Sequence, residues 1–236
     1  MTYGIGIVGA GMIAPFHLEA INGLPNARAV GIMDHGSGKG RAIAPDLDRA
    51  GADDLDAFLA RDDIDVITVA TPSGSHLGIA LAAARAGVHC IVEKPIEITL
   101  ERIDRMIAAH DAAGTKLGGI FNTRYSKSAQ LLKRTVEAGR FGTLTFASAT
   151  GPWWRDPDYY SSSNWKGSWA LDGGGALMNQ GIHSVDLLQW LVGSPVTSVS
   201  GRIATLAHPS IEVEDTGAAT LMFENGALGS VACTTS

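Results

Sequence analysis

Apolar and polar positions follow two different periodic patterns along the first half of the chain. Short runs that are apolar on both faces predict strands buried inside a parallel sheet. Longer stretches with an apolar residue every three or four positions predict helices between those strands. This exchange of strand and helix is typical of a doubly wound α/β fold. The predicted strands are 3–8, 27–33, 65–70, 88–92 and 116–121, and the predicted helices are 15–21, 39–50 (interrupted by Pro45), 53–61, 76–86 and 99–113.

The second half has fewer helical stretches and more strands that alternate in polarity. The change in pattern near residues 121–126 predicts a boundary between two domains, residues 1–121 and 122–236. One helix is predicted at 128–139, and strands are predicted at 143–150, 196–203, 218–223 and 226–236.

A further helix is predicted after three consecutive glycines at 173–175. Its apolar stripe comprises Leu177, Ile182, Val185, Leu188 and Leu191, at the spacing of a core-facing surface. Asn179, His183 and Asp186 follow at positions that share one polar face of a helix. Gly181 lies inside this stretch, where glycine costs about 1 kcal/mol relative to alanine, so another group is expected to approach the backbone there.

Composition narrows the class of protein. The chain has 236 residues, of which 45% are hydrophobic and 18% charged, as in a folded protein with a large core. A net charge of −6 without a Lys/Arg cluster argues against nucleic acid as a partner. No apolar run reaches the roughly 18 residues of a membrane span, and the start lacks the basic region of a signal peptide. Cys90 and Cys233 are expected to be buried thiols in a cytoplasmic protein.

A glycine-rich turn joins the first predicted strand to the first predicted helix. Gly9 and Gly11 allow a tight turn whose backbone can touch a pyrophosphate at a helix N-terminus, although such a pattern also occurs in ordinary turns. Asp34 ends the second strand, where a carboxylate can accept the ribose hydroxyls of NAD; a surface aspartate is the alternative. Lys39 and Arg41 follow closely and leave NADP open.

Two further strands end in residues of functional interest. Small turn residues at 71–75 follow strand 65–70, at the edge where ligands bind in parallel sheets. His76 comes next and can contact a cofactor or cap the turn. Lys94 follows strand 88–92 and precedes Pro95; taken alone it can equally be a solvated surface lysine.

The segment 151–172 contains four of the five tryptophans, together with Arg155 and Lys166. Aromatic rings can cover the C–H face of a sugar while the cations bind its acid groups. Packing between domains is the alternative explanation for the rings. A zinc site at Asn179, His183 and Asp186 is excluded because one histidine and one carboxylate are too few ligands; a serine hydrolase lacks its Gly-x-Ser-x-Gly turn.

Together these motifs resemble the Gfo/Idh/MocA oxidoreductase family. The matching segments are 9–14, 70–72 with His76, 93–95, 122–125, and 173–175 through His183 and Asp186. The resemblance implies a Rossmann domain followed by an α+β domain whose open, mostly antiparallel sheet mediates homo-oligomerisation as a dimer or tetramer. Family members are usually longer, so this chain is expected to be short by about the last third of the family pattern.

The resemblance also implies how the site works. Lys94 would hydrogen-bond the reacting oxygen and His183 would exchange its proton, a role that suits an imidazole with a pKa of about 6.5. The family often has aspartate where Asn179 stands; the amide carries no charge and would orient the substrate or Lys94. Candidate cofactor-binding residues are Gly9, Gly11, Met12, Ile13, Asp34, Thr71, Pro72, Ser73, His76, Glu93, Lys94, Asn122 and Arg124. Candidate substrate-binding residues are Lys94, Arg124, Arg155, Tyr160, Trp165, Asn179 and His183.

The sequence thus predicts an oxidoreductase that transfers a hydride between NAD(H) and a secondary alcohol of a sugar, sugar acid or cyclitol. Two alternatives stay open. A non-catalytic NAD- or sugar-binding regulator would have the same fold, and a glycosidase of this fold would retain its NAD through the cycle.

Overall fold

The structure is a computed structural model that describes residues 2–47 and 50–236, without the side chains of 50–52. The chain forms two compact units, which meet in sequence between Ile120 and Phe121. The first unit contains strands β1 (Tyr3–Val8), β2 (Ala27–Met33), β3 (Ala50–Ala52), β4 (Val66–Val69), β5 (His89–Val92) and β6 (Leu117–Gly119). Its helices are α1 (Ala14–Asn22), α2 (Lys39–Ile43), α3 (Leu55–Leu59), α4 (His76–Arg85) and α5 (Leu100–Ala113).

The strands of the first unit form one parallel sheet. Within the described residues its order is β3-β2-β1-β4-β5-β6, so the chain changes direction across the sheet between β1 and β4. Alternate residues of β1 face opposite layers: Ile5 and Ile7 pack with α1, whereas Val8 packs in the layer that contains α4. The predicted doubly wound sheet is confirmed, and its ligand edge is expected where strand order reverses.

One predicted helix of this unit is wrong in its second half. The helix predicted over 39–50 ends at Ile43 in α2, and Ala50 begins the edge strand β3, which pairs with β2. Pro45 explains the early end, because it lacks an N–H and clashes with the preceding turn of a helix. Positions 48 and 49 of the predicted helix lie outside the described residues.

The second unit combines helices with a mixed sheet. Its helices are α6 (Lys127–Glu137), α7 (Pro157–Ser161) and α8 (Ile182–Val192), and its strands are β7 (Phe146–Pro152), β8 (Val196–Ala204), β9 (Thr216–Phe223) and β10 (Leu228–Thr234). In this described part of the chain the order is β7-β10-β9-β8; β10 is parallel to β7, and β9 is antiparallel to both neighbours. The predicted open, mostly antiparallel sheet is confirmed.

One face of this second sheet carries the core and the other remains open. Leu188 and Val192 of α8 pack against Phe223 and Val231. On the opposite face, Phe146, Leu228 and Met222 are cross-strand neighbours on β7, β10 and β9, and each is at least half exposed.

The glycine-led helix is wrong as a single element. Residues Ala176–Gln180 form a π-helical turn, and the α-helix begins only at Ile182. A β-carbon at Gly175 would overlap the backbone carbonyl of Glu214, and one at Gly181 would overlap Cys233 Sγ. The expected close approach at Gly181 is therefore confirmed, and the approaching group is a thiol on β10.

Asp215 anchors the loop between β8 and β9. Its carboxylate is fully buried and accepts hydrogen bonds from the backbone N–H groups of Leu206 (3.0 Å), Ala207 (2.7 Å) and His208 (2.9 Å). Burial by itself would raise the pKa of this carboxyl, but the backbone hydrogen bonds outweigh it and lower the pKa from 3.8 to about 2. The anion is thus more stable in the folded chain than in the unfolded one.

We expect Asp215→Asn to lower the free energy of unfolding by about 2 kcal/mol at pH 7, the equivalent of the pKa shift. A carboxyl group whose pKa is lowered on folding stabilises the folded chain fully at pH values above its unfolded pKa. For Asp215 this stabilisation is lost as the pH falls from 3.8 towards 2. Urea unfolding at several pH values measures both effects. Glu224→Gln, at an exposed position of the same unit, is the control and should change the free energy by less than about 0.5 kcal/mol. Equal losses in both variants, or a pH-independent difference, would contradict the assignment.

Candidate functional site

The loop between β1 and α1 is shaped to receive an anion. Gly9 has φ +105°, and a β-carbon there would lie 2.6 Å from the carbonyl oxygen of Ala70, so only glycine fits. Ala14 is fully buried in the same cluster as Ala70, which lets α1 begin close to the sheet. No side chain caps the N-terminus of α1, and such a terminus presents backbone N–H groups and a positive dipole end to a phosphate. Met12 and Ile13 extend from the loop with 77% and 39% of their surface exposed.

Asp34 lies at the carboxyl end of β2, as predicted, but its carboxylate already accepts hydrogen bonds from the loop that follows it. One carboxylate oxygen accepts from Gly36 N (3.0 Å), and the other accepts from Gly40 N (2.7 Å) and Ser37 Oγ (3.1 Å). These bonds hold the start of α2 against the strand end. An ionised carboxylate has about four acceptor positions, so it retains capacity for a ribose hydroxyl.

The turn after β4 is stabilised by its own side chains. Ser75 Oγ donates to Pro72 O (2.6 Å) and contacts Thr71 Oγ1 (2.8 Å), and Ser73 is buried. His76 is only 1% exposed, and its ring nitrogens face the carbonyl oxygens of Thr71 (3.0 Å) and Ile96 (3.1 Å). This geometry favours the capping alternative for His76: the imidazole joins the turn after β4 to the segment after β5.

Lys94 is half-buried in a turn that two carboxylates anchor. Glu93 Oε2 accepts from the backbone N–H of Lys94 (3.0 Å), and the Lys94–Pro95 peptide bond is cis. Glu97 is almost fully buried and accepts from Leu77 N (3.1 Å) at the start of α4 and from Arg102 Nη2 (2.6 Å). The backbone that carries Lys94 is therefore fixed on both sides.

The loops after β1, β4 and β5 share one edge of the sheet. These strands are parallel neighbours in the order β1-β4-β5, so Gly9, Thr71 and Lys94 all follow carboxyl ends at the same edge. In the described part of the chain, a cavity of about 440 Å³ lies elsewhere, next to Ile64 and Val88, which precede β4 and β5. That cavity is at the amino edge of the sheet and takes no part in this site.

Arg124 in the second unit is committed to an ion pair. It lies in the short 3₁₀ turn Asn122–Tyr125, and its Nε donates to Asp186 Oδ2 (2.7 Å) while Nη2 donates to the other oxygen. The guanidinium also lies over the rings of Phe121 and Trp190. The hydrogen bonds that Arg124 donates to Asp186 are the main cause of the raised pKa of Arg124. The Asp186 carboxylate on α8 is thus paired with Arg124.

A buried carboxylate fixes the amide of Asn179. Asn179 is 8% exposed and Asp172 is 1% exposed. Asn179 Nδ2 donates to Asp172 Oδ1 (2.5 Å), and Gly167 N donates to the other oxygen (2.8 Å). Gln180 Nε2 donates to Asn179 Oδ1 (3.1 Å). The orientation of this amide is therefore set by the protein. His183 lies half-buried two residues after Gly181, in the first turn of α8.

Two cations lie around a single tyrosine ring in the aromatic segment, residues 151–172. The guanidinium carbon of Arg155 is 4.5 Å, and Lys166 Nζ is 3.9 Å, from the centre of the Tyr159 ring. Arg155 Nη2 also donates to Gln180 Oε1 (2.9 Å). Burial, and then repulsion from Arg155, lower the pKa of Lys166. Concentrated positive charge of this kind suits an anionic ligand.

Tyr159 was missed by sequence reasoning, which named its neighbour Tyr160. Tyr160 is 7% exposed and its hydroxyl bonds with Thr235 Oγ1 (2.9 Å), so it lies in the core. Trp165 is half-buried and its carbonyl oxygen accepts from Ser168 Oγ (2.7 Å). The sequence shows Asp156 as the cap of α7, but tertiary packing decides that the Tyr160 ring is buried while the Tyr159 ring is half-buried.

Comparison with known proteins assigns the family. Residues 3–121 match the GFO_IDH_MocA family model, described as an oxidoreductase family with an NAD-binding Rossmann fold. Residues 129–236 match the GFO/IDH/MocA C-terminal domain. The chain belongs to the Gfo/Idh/MocA family.

Curated relatives of this family are longer than the chain. The uncharacterized oxidoreductase YrbE of Bacillus subtilis (strain 168) is 32% identical over 233 residues, which cover 94% of this chain and 64% of the relative. Inositol 2-dehydrogenase of Rhizobium meliloti (strain 1021) is 29% identical over 216 residues, covering 89% of this chain and 61% of the relative. The chain thus spans less than two thirds of the length of either protein.

Solved structures of the family superpose closely. The WlbA dehydrogenase from Bordetella pertussis, in complex with NADH and UDP-GlcNAcA, is 39% identical with a TM-score of 0.94, covering 100% of this chain and 71% of that chain. Levoglucosan dehydrogenase, in complex with NADH and levoglucosan, is 27% identical with a TM-score of 0.90, covering 100% and 67%. Both share the fold of this chain over its whole length.

Neither a membrane-spanning helix nor a metal-ligand cluster occurs among the described residues. No helix among them combines the length and the apolar character that crossing a bilayer requires. Within the same residues, no three or more His, Cys, Asp or Glu side chains are grouped so that they could hold a metal ion.

Proposed function

We propose that this chain carries the dinucleotide and substrate sites of an NAD-dependent dehydrogenase that acts on a secondary alcohol of a sugar, sugar acid or cyclitol. The observation that carries the proposal is the position of Lys94, half-buried on a fixed turn at the same sheet edge as the Gly9 loop. A lysine ammonium there can hydrogen-bond an oxygen as negative charge develops on it. Asp34 supports NAD over NADP, because a carboxylate repels a 2′-phosphate.

When bound, NAD would supply the hydride acceptor or donor, and the chain's own residues would handle the oxygen and its proton. In the proposed mechanism Lys94 donates a hydrogen bond to the reacting oxygen, which stabilises the developing alkoxide. His183 takes the hydroxyl proton during oxidation and returns it during reduction. Asn179 cannot carry a proton, so its proposed role is to orient the substrate. Asp172 holds the Asn179 amide in one orientation.

The second unit is proposed to bind the substrate through its aromatic segment. Trp153, Trp154 and Trp169 each keep about half or more of their surface exposed within the chain, and the Arg155 and Lys166 cations surround Tyr159. These features favour an anionic sugar over a neutral cyclitol. UDP-GlcNAcA, which is bound in the WlbA structure, is therefore the first substrate to test, and myo-inositol, suggested by the inositol dehydrogenases, is the second.

The open face of the second sheet is proposed to form a homodimer or tetramer. Its cross-strand row of Phe146, Leu228 and Met222 is 50–59% exposed, and exposed apolar groups in a row favour association with an equivalent surface. Sedimentation equilibrium of the purified protein measures the oligomeric state, and a monomer at all concentrations would refute the proposal.

A cytoplasmic location is proposed because the two buried cysteines are free thiols, as is usual in a reducing compartment. Cell fractionation tests it.

We expect Lys94→Ala to reduce kcat by about 10²- to 10⁴-fold, the usual contribution of a group that stabilises a developing charge or moves a proton. The Kd for NAD should change little, because the lysine is proposed to contact the reacting oxygen. Stopped-flow absorbance of reduced nicotinamide and NAD titration measure the two quantities. Lys116→Ala, at the sheet's far edge beyond β5, is the matched control. Unimpaired turnover in the Lys94 variant would refute the proposed mechanism.

The same assay separates the alternative functions. A regulator would bind NAD and sugar without forming NADH from any alcohol tested. A glycosidase that retains its NAD would release free sugar from a glycoside without net NADH. Accumulation of NADH in proportion to oxidised sugar is the result expected here.

We expect Arg155→Gln to raise KM for UDP-GlcNAcA at least about tenfold, since a lost hydrogen bond from a charged donor is worth about 1.5–3 kcal/mol. KM for myo-inositol should stay nearly unchanged if the cation recognises an acid group. Steady-state kinetics with both substrates measure the difference, and exposed Arg140→Gln is the control. An equal loss for both substrates would assign Arg155 a structural role and contradict the anionic preference.

A further inference from the structure

A chain of buried polar side chains connects the dinucleotide-binding helix to the turn of Lys94. His17 Nε2 lies 2.9 Å from Glu93 Oε1, and His17 Nδ1 lies 2.6 Å from Thr68 Oγ1. His17 and Thr68 are 9% and 4% exposed, and the side chain of Glu93 is 14% exposed. Glu93 Oε2 then accepts from the backbone N–H of Lys94.

The contacts join three elements that meet at the ligand edge. His17 lies on α1, three residues after Ala14, where the glycine loop ends. Thr68 lies on β4, the strand between β1 and β5, and Glu93 directly follows β5. A shift of α1 would therefore be transmitted through the imidazole to the residue adjacent to Lys94.

The charge of Glu93 is held in place by these bonds. Burial by itself would raise the pKa of the Glu93 carboxyl, but the hydrogen bond from His17 and that from Lys94 N outweigh burial and lower it. The carboxylate is acceptor-only when ionised, so His17 Nε2 donates to it. The hydroxyl of Thr68, which can donate or accept, satisfies the other ring nitrogen.

Stability alone is a weak explanation for such a network. Replacing a buried ionic pair by apolar residues of similar volume is often neutral or stabilising, whereas polar networks specify one geometry. Both oxygens of Glu93 bind the protein, one to His17 and one to the Lys94 backbone, so the carboxylate is placed to orient that turn.

We propose that His17 is a positioning residue: by binding Glu93 it sets the orientation of Lys94 and links it to the helix that receives the dinucleotide. This rests on the proposed role of Lys94 in turnover. The His17 contact acts through Glu93, and the Thr68 contact serves only to hold the ring.

The test compares variants that keep different ring contacts. The amide of Gln can replace the Nε2 donor to Glu93, whereas the shorter Asn can replace only the Nδ1 contact. We expect His17→Asn to lower kcat at least about tenfold, equivalent to about 1.4 kcal/mol, with little change in the Kd for NAD. His17→Gln should restore most of kcat, and Thr68→Val, which keeps the Glu93 contact, should stay within about twofold of the unsubstituted protein.

A second readout does not depend on turnover. Reductive ¹³C-methylation of lysines gives an NMR signal for Lys94, assigned by its loss in Lys94→Arg, and its chemical shift and titration report the surroundings of the amine. We expect the Lys94 signal to move in His17→Asn and to stay in place in His17→Gln and Thr68→Val. Circular dichroism and thermal unfolding check that each variant is folded.

The outcomes separate this proposal from the function it rests on. An unchanged Lys94 signal in folded His17→Asn overturns the positioning role, whatever the activity. Equal losses of kcat in the Asn, Gln and Thr68→Val variants also overturn it, because they would indicate general destabilisation. A moved signal without any effect of Lys94→Ala on turnover would support the positioning role and refute the proposed function.

Discussion

Two adjacent buried carboxylates, Glu214 and Asp215, hold the second unit in its shape. Glu214 accepts from the backbone of Gly175 and Leu177, and Asp215 accepts from the backbone of the loop before it. A buried charge is tolerated only when it is paired and hydrogen-bonded, so the loops must bring their N–H groups to these two positions. His208, held by Asp215, in turn bonds to the carbonyl of Arg155 (2.8 Å). The glycine turn and the aromatic segment are thus tied to the same pair of residues.

In the first unit, buried polar side chains likewise hold the loops at the ligand edge of the sheet. Side chains that follow the parallel strands hold the loops at this edge: Asp34 binds the start of α2, His76 joins two loops, and Glu93 binds His17. Among the described residues at this edge, the Gly9 loop and the N-terminus of α1, which no side chain caps, offer a ready anion site. Rigid surroundings of this kind suit a site that must hold a cofactor and a substrate at fixed distances.

The cations of the aromatic segment show how specificity can be added to a common fold. Burial, followed by repulsion from Arg155, lowers the pKa of Lys166, and the Asp172 carboxylate opposes both. An anionic group bound there would relieve the repulsion, which is a differential interaction that a neutral sugar cannot supply. The family fold is common to dehydrogenases with different substrates, and the loop between β7 and the glycine turn is the segment that we propose discriminates among them.

The sequence by itself determined the described strands except β3, most helices and the motifs that assign the family. Buried parallel strands and amphipathic helices leave a local periodic signal, and the Gly9 turn and the Lys94 tetrapeptide are contiguous. The tertiary structure alone decided which groups meet. Pairing of β3 with β2 converted a predicted helix end to a strand, and Glu214 and Cys233 broke the glycine-led helix into a π-turn and α8. Likewise, His17 contacts Glu93, which lies 76 positions later in the sequence. Such contacts depend on which elements lie side by side, and no periodicity in one segment records its distant neighbour.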